Sequence, residues 1–508
     1  MYYVIRFVYY SHLSVSPLHP EPSKVIINMM SQSPVRHVST RSWTGSSESP
    51  PKLRCIGSGT YGTVSEVATQ HGRMALKEQK IDSFTGSPSL NELDIGRKVV
   101  HPNIMPIEGI VVDGTNLGFI MPLAHQSLVE YVSKKRSEPM ICRLMADVFR
   151  GLSFLHSNGI LHLDMKGGNI LIDETDPDEP IAKISDFGLS KHFHGRLDVP
   201  ARYITCTFAP PEILSENRMC SYTPRTESWC LGIIFLTSLR PDLDIFQGVD
   251  LSDSNIKRNT DICNRLIYLF NDNMRMFNLK SWLPDSSSQV VSIIHDLLSI
   301  NPSMRLTSDE ALYRLGCSHY MGVLVVPSIE QQDRSFKSFK AIEGMARICY
   351  NMNYLVETFF LACDIYHRCS HLHDPEDIIP SCSVVIASKL TELTQLKITS
   401  CVKENVSPER LRRCEVVMID SMKGIIYRKN LFTCSTITTI TDNAKLCYFS
   451  DIYSRLDMIE LNSQASINNV GSMRCREFLP HTCHFKIMAE LQGTDEERLK
   501  QSFRSLEQ

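Results

Sequence analysis

The sequence predicts an α+β fold, with a β-rich N-terminal part followed by helical regions and a separate all-α region, and three observations carry that expectation. Residues 53–78 set β-branched and apolar residues on both sides of a glycine turn, the pattern of strand, loop, strand, strand. From Met345 to Tyr366 apolar residues recur at three- and four-residue steps, the period of an amphipathic helix. At 508 residues the chain exceeds what one hydrophobic core ordinarily organises, so two or three domains are expected.

Apolar residues make up 43% of the chain and charged residues 21%, values of an ordinary globular protein. A net charge of -3 gives no polyelectrolyte argument for nucleic acid or an acidic membrane surface, so neither is expected as a partner. The 17 cysteines include no C-x-x-C pair, which argues against a zinc module and a redox dithiol and predicts free thiols in a reducing compartment. No run approaches 18 apolar residues, so no transmembrane helix is expected. The opening MYYVIRFVYYSHL is interrupted by Arg6 and lacks a small-residue cleavage site, so no signal peptide is expected.

Residues 1–50 are rich in Ser, Pro and His, with Ser-Pro at Ser16, Ser33 and Ser49, and predict a disordered tail; Met29 or Met30 is an alternative start. Gly57, Gly59 and Gly62 with Val64 then fit G-x-G-x-x-G-x-V. Glycines there permit positive φ and bring backbone N–H groups close to phosphate oxygens. A lone match is weak, and its weight comes from Lys77 on the following strand, 15 residues past Gly62. Asn91 to Val100 reads as a helix with Glu92 in its first turns.

The chain is organised around Ile160 to Gly188, ILHLDMKGGNILIDETDPDEPIAKISDFG. Asp164, Lys166 and Asn169 stand at the spacing D-x-K-x-x-N, and Asp186 follows in a D-F-G turn. Phosphoryl transfer from a metal-bound nucleotide needs four such groups: a carboxylate to orient the attacking hydroxyl, an ammonium beside the moving phosphoryl group, and an amide plus a second carboxylate to hold Mg²⁺. Asp164, Lys166, Asn169 and Asp186 supply them in that order. Any one alone reads as a solvated loop residue; four in one window do not.

These motifs, with HPNI at His101, TFAPPE ending at Glu212, ESWCLG around Trp229 and NPSMR ending at Arg305, resemble a eukaryotic-type protein kinase domain, bilobal, over residues 51–322. The resemblance implies ATP and Mg²⁺ as cofactors and protein substrates with Ser/Thr acceptors, since Lys166 in D-x-K-x-x-N favours serine/threonine. It implies that Lys77 holds the nucleotide phosphates and pairs with Glu92, that Asn169 and Asp186 are the metal ligands, and that Glu212 and Arg305 form a structural ion pair. Ala75 would line the adenine pocket, Met121 would guard its back, and Pro122 and Ala124 would form the hinge. The hinge needs only a carbonyl from Pro122, so proline is tolerated.

GTYG, the PS-x-x-E run at Pro88 to Glu92 and MPLAHQSL resemble the cyclin-dependent kinases. Thr60 and Tyr61 then stand where that family takes inhibitory phosphates, whose charge would oppose those of ATP. Three departures stand out: Leu163 replaces the Arg of H-R-D, Pro200 stands near the activating Thr, and Glu227 replaces an Asp. The missing cation and missing phosphate acceptor together predict a kinase independent of loop phosphorylation.

PSIEQQDRSFKSFK predicts a polar linker, placed at residues 323–340, able to span about 60 Å at ~3.3 Å per residue. One long helix is expected across Met345 to Tyr366, with further helices at Ile378 to Leu390, Leu393 to Val402 and Pro408 to Gly424. SVVIASKLTEL and the segment holding Glu415 resemble a cyclin box over residues 341–440, with His367 standing where that family has Asp. The resemblance implies that Lys389 and Glu415 contact the kinase part, an intramolecular kinase–cyclin contact. Residues 441–508 fit either a reduced second cyclin fold or a helical tail. The reading is thus a cyclin-dependent type of kinase activated in cis; its rivals are a pseudokinase scaffold and a kinase with an unrelated substrate-recruitment module. The expected location is cytoplasm or nucleus, and a single-chain kinase and cyclin fits a large DNA virus acting in its host cell.

Overall fold

The computed structural model describes residues 3–5, 50–59, 62–70, 72–80, 88–113, 116–134, 136–193, 197–200, 205–215, 219–251, 255–320, 322–326, 339–369, 371–372, 378–392, 408–426 and 475. Thr60, Tyr61, the 393–402 helix and all of 441–508 but Cys475 lie outside the described residues.

The β-rich part is a five-stranded antiparallel sheet. Its strands, after β1 (Tyr3–Ile5), are β2 (Lys52–Gly59), β3 (Gly62–Thr69), β4 (Gly72–Lys80), β6 (Gly109–Asp113) and β7 (Asn116–Pro122), in the order β2-β3-β4-β7-β6; β5 (Val99–Val100) lies apart from it. The register sets Val64 opposite Lys77, Lys77 opposite Phe119 and Ala75 opposite Met121, so the glycine turn, the lysine and the hinge strand share one sheet. Gly62 is where the turn demands glycine: its φ is +140°, and a Cβ would fall 2.0 Å from the Glu78 carbonyl oxygen. Helix α1 (Pro88–Lys98) starts three residues before the expected Asn91 and stops before the β-branched pair Val99–Val100, which is extended.

Below the sheet, α2 (Glu138–Ser157) buries Ile141, Leu144, Met145, Val148, Phe149, Leu152 and Leu155, the three- and four-residue stripe of a helix facing a core. Helix α3 (Pro224–Leu239) is buried almost all round, consistent with its place at the centre of that lobe. The Ser127 hydroxyl accepts from the Glu130 N–H, and the Glu130 carboxylate accepts from the Ser127 N–H at 2.7 Å. This capping box turns the chain from the hinge into the helix Leu128–Ser133.

Two expectations about connecting segments are corrected. Tyr3–Ile5, placed in the disordered tail, is a strand, and Val323–Val326, placed in the linker, is another; they pair with each other, and the second pairs with β5. A run of valines and leucine is a strand former that the polar residues after Pro327 mask in a composition-based reading. The single helix expected from Met345 to Tyr366 is two, α4 (Phe339–Met352) and α5 (Val356–Cys369). Asn353 breaks it at φ +51°, with its N–H donating to Tyr350 O and the Tyr354 N–H to Cys349 O, a Schellman ending that satisfies the last carbonyls of α4. Apolar periodicity runs straight across such a break, because both helices bury toward one core.

Helices α4 and α5, with α6 (Ile379–Thr391) and α7 (Pro408–Ser421), are the elements described from residue 339 onward. Their core is continuous with the N-terminal lobe: Leu90 and Leu93 of α1, Ile107, Leu117 and Phe119 belong to one apolar cluster with Met345, Phe359, Ile365, Val385 and Ile419. Helix α1 is therefore packed between its own sheet and the C-terminal helices.

Candidate active site

The sheet presents Lys77 and α1 presents Glu92, and the two meet as expected. Lys77 Nζ lies 2.8 and 2.6 Å from the Glu92 carboxylate oxygens and 3.0 Å from Asp186 Oδ1. Gln79 Nε2 donates a further bond to Glu92. Burial pulls the Lys77 ammonium down, but the Glu92 and Asp186 carboxylates outweigh it and hold the ammonium above its ordinary range. Burial pushes Asp186 up, yet Lys77 brings it below the usual carboxylate range, so both ends stay charged. Burial raises Glu92, the deepest of the three.

The lower half of the site is one hydrogen-bonded loop. Asp164 Oδ2 accepts from Lys166 Nζ at 2.7 Å and from Asn169 Nδ2 at 2.9 Å, and the Asp164 carbonyl accepts from Asn169 Nδ2 at 2.8 Å. Thr205 Oγ1 donates to Asp164 Oδ1 at 2.7 Å. No local motif marks Thr205; its bond to Asp164 depends on how the segment folds back. His162 holds the loop to the D-F-G turn, its Nε2 2.9 Å from Ser185 O and its ring 5.3 Å from that of Phe187.

Leu163 and Asp186 both have left-handed backbones, φ +65° and +64°. For a leucine this is a strained conformation worth about 1–3 kcal/mol. Glu227 holds it: its Oε1 accepts the Leu163 N–H at 2.6 Å and its Oε2 lies 2.7 Å from His156 Nε2. The Glu227 departure is thus accommodated, the longer side chain reaching both groups from α3 while remaining buried. Glu212 and Arg305 pair as expected, at 2.5 and 2.7 Å.

Among the adenine-pocket residues, Ala75 is buried, Met121 packs against the α1 cluster, and Pro122 and Ala124 are half-buried at the end of β7. Val64 lies across from Lys77, and Gly57 and Gly59 belong to β2; a Cβ at Gly57 would meet nothing, so space alone does not require that glycine. The fit of a divalent cation rests on donor chemistry. Both Asn169 amide hydrogens' nitrogen serves Asp164, which leaves the Asn169 amide oxygen, with the Asp186 carboxylate, as hard oxygen ligands of the kind Mg²⁺ takes.

Lys389 and Glu415 were expected to contact the kinase part; their side chains bond to each other, with Nζ 2.6 Å from Oε1, while Lys389 meets the kinase part through its backbone carbonyl. What reaches across is backbone: Lys191, five residues after Asp186, donates from Nζ to Leu390 O at 3.0 Å and Lys389 O at 3.4 Å, at the C-terminal end of α6. A helix C-terminus offers unpaired carbonyls and a negative dipole end, which suits a cation.

The fold and this site are those of a protein kinase domain. The chain belongs to the protein kinase domain family, whose profile matches residues 51–314, just over half of the chain. Among curated proteins it is similar to serine/threonine-protein kinase ICK of Mus musculus, 26% identical over 317 residues, covering 56% of this chain and 48% of that protein. It is similar also to serine/threonine-protein kinase MAK of Rattus norvegicus and of Homo sapiens, each 26% identical over 282 residues, covering 51% of this chain and 44% of the relative. The chain spans about half the length of the curated relatives it matches. The helical region 339–426 lies beyond the matched family domain.

Proposed function

We propose that this chain is an ATP- and Mg²⁺-dependent serine/threonine protein kinase of the cyclin-dependent type, whose C-terminal helical region is a cyclin-like activator working in cis. The observation that carries the catalytic part is the Lys77–Glu92–Asp186 ion triad standing with the Asp164–Lys166–Asn169–Thr205 loop. Lys77 anchors the nucleotide phosphates and is itself oriented by Glu92. Asp164 orients the acceptor hydroxyl and takes its proton, with Thr205 and Asn169 fixing the carboxylate's plane. Lys166 neutralises charge on the transferring group, which in such a reaction is most of the catalysis. Mg²⁺, held by Asn169 and Asp186, would supply further charge neutralisation at the phosphates. The free cysteines among the described residues support a reducing cytoplasmic or nuclear setting.

Support for activation in cis comes from α1, which carries Glu92 on one face and packs Leu90 and Leu93 into the helical region's core on another. A tethered partner meets its site at an effective concentration around mM, so docking needs little intrinsic affinity.

Purified chain incubated with Mg²⁺-ATP and a peptide library tests the catalytic part, with phosphoserine and phosphothreonine as the expected products. ATP binding without transfer would mark a scaffold instead. Gly424→Val tests the cis contact: at φ +71° a side chain strains the turn that carries α7 to α1, and its Cβ would meet the ends of Ile110 and Leu93 at 2.7 and 2.8 Å, with circular dichroism checking that the helices persist. The expected result is retained ATP binding with turnover down about tenfold or more; unchanged turnover would reduce the helical region to another role, such as substrate recruitment.

A further inference from the structure

Helix α1 carries a second acidic residue, Asp94, that the catalytic triad does not use. Its side chain is almost fully buried, and its two oxygens serve different parts of the molecule. Oδ1 accepts the backbone N–H of Ile426, from the segment that leaves α7, at 2.7 Å. Oδ2 accepts from Lys98 Nζ, one turn along α1, at 2.5 Å, and His192 Nε2, on the strand after the D-F-G turn, lies 3.9 Å away. The Ile426 side of the contact is itself held. Arg368 of α5 donates to the carbonyls of Ile425 and Ile426 and pairs with Asp364 at 3.4 Å. Lys423 and Gly424, both at positive φ, close α7 in a Schellman turn, with N–H bonds to Asp420 O and Ile419 O, and so aim the next amides at α1. Arg97, the neighbour of Lys98, donates from Nε to Lys423 O at 3.1 Å.

We propose that Asp94 is the positioning residue that latches α1 to the helical region, accepting the Ile426 N–H only when α1 sits with Glu92 against Lys77. The proposal rests on the cis-activation reading and adds to it the group that makes the coupling directional. The apolar packing of Leu90 and Leu93 tolerates small rotations and slides of α1, because dispersion is undirected. A hydrogen bond from a buried amide to a charged acceptor does not: it is short, oriented and among the stronger kinds. Moving α1 outward would leave the Ile426 amide and one carboxylate oxygen buried without each other, the costly half of the hydrogen-bond ledger. The same carboxylate also draws on Lys98 within the helix and faces His192 on the activation segment. One side chain thereby registers three elements, α1, the D-F-G strand and the α7 exit.

Burial works against the Asp94 charge, but Lys98 outweighs it, with His192 adding to the effect, and the carboxyl is held below its ordinary range. The acceptor therefore stays ionised at neutral pH.

Two variants with the same number of side-chain heavy atoms at position 94, made in the full chain, separate the latch from the charge pair. Asp94→Leu/Lys98→Met removes the ion pair and the acceptor together. Asp94→Asn/Lys98→Met removes the ion pair but keeps a carbonyl oxygen where Ile426 N–H needs one. Hydrogen exchange of the peptides covering 419–426 and 88–98, and turnover of a Ser/Thr peptide library with Mg²⁺-ATP, are measured on both. The expected result is faster exchange in both peptides and a kcat loss of about tenfold in the leucine variant, with both largely restored in the asparagine variant. Equal exchange and turnover in the leucine variant and the wild type would overturn the latch, while Gly424→Val would still stand as a separate test of cis activation. Lost protection with unchanged kcat would support the latch and overturn the activating role of the helical region instead. Equal loss in both variants would show that the ion pair, not the acceptor, holds the helix, and would overturn the proposal.

Discussion

Lys389 and Glu415 form a closed ion pair between α6 and α7, with both side chains fully excluded from solvent and Glu415 Oε2 without a hydrogen-bond partner among the described residues. Such a pair stabilises less than its geometry suggests, since two desolvated charges offset most of their attraction, but breaking it leaves an uncompensated buried charge. Lys389→Ala or Glu415→Ala is expected to destabilise the helical region by ~3–5 kcal/mol, whereas Lys389→Met/Glu415→Leu should be near neutral or stabilising. Chemical denaturation of the full chain, followed by hydrogen exchange across 379–421, reads this. A double variant as unstable as the singles would mean that the pair does more than balance itself.

Asp186→Asn is expected to lower phosphotransfer by at least about 10²–10³-fold without unfolding the chain, because it removes a charge from the metal-facing oxygens and from Lys77 together. Circular dichroism checks the folding and a peptide-library assay the turnover. Activity close to wild type would dismiss the catalytic assignment of the triad.

Protein made in bacteria and treated with phosphatase should keep most of its activity. Leu163 offers no cation to a loop phosphate, Lys191 is engaged with the carbonyls of Lys389 and Leu390, and Thr205 is bonded to Asp164. Removing such a phosphate would have little electrostatic consequence. A large loss on treatment, recovered by rephosphorylation at Tyr203, Thr205 or Thr207, would contradict this.

Lys191 carries a pH signature. Burial lowers its ammonium to about 8, against the opposing pull of Glu392 and Glu357. An unfolded lysine titrates near 10.4, so between pH ~8 and ~10.4 the unfolded chain holds a proton that the folded chain has released. Stability from this group therefore rises with pH across that window and is lost as pH falls through about 8. Comparing wild type with Lys191→Met, the difference in Tm, wild type minus variant, should increase from pH 7.5 to pH 9. A flat difference would place the ammonium in water rather than at the end of α6.

The sequence by itself determined which residue types gather in the candidate site and the order of its parts. Gly62, Lys77, Glu92, Asp164, Lys166, Asn169 and Asp186 are legible because each chemical task admits few residue types and because a loop or strand fixes their spacing locally. The helical character of Phe339–Met352, Val356–Cys369, Ile379–Thr391 and Pro408–Ser421 was legible for a similar reason, since burial on one face imposes a period. Only the tertiary structure decided what depends on approach between distant segments. The break at Asn353 lies inside an unbroken apolar period, and the strand Val323–Val326 needs a partner that composition does not reveal. Lys389 and Glu415 read as interface residues, yet the crossing of α6 and α7 brings them to each other. Asp94 stands between Leu93 and Ile95 with nothing local to mark a partner, and it meets an amide 332 residues away only because α1 is buried on more than one side. Local chemistry constrains residue type; which buried donor meets which acceptor is set by the packing of whole elements, and no local pattern encodes that.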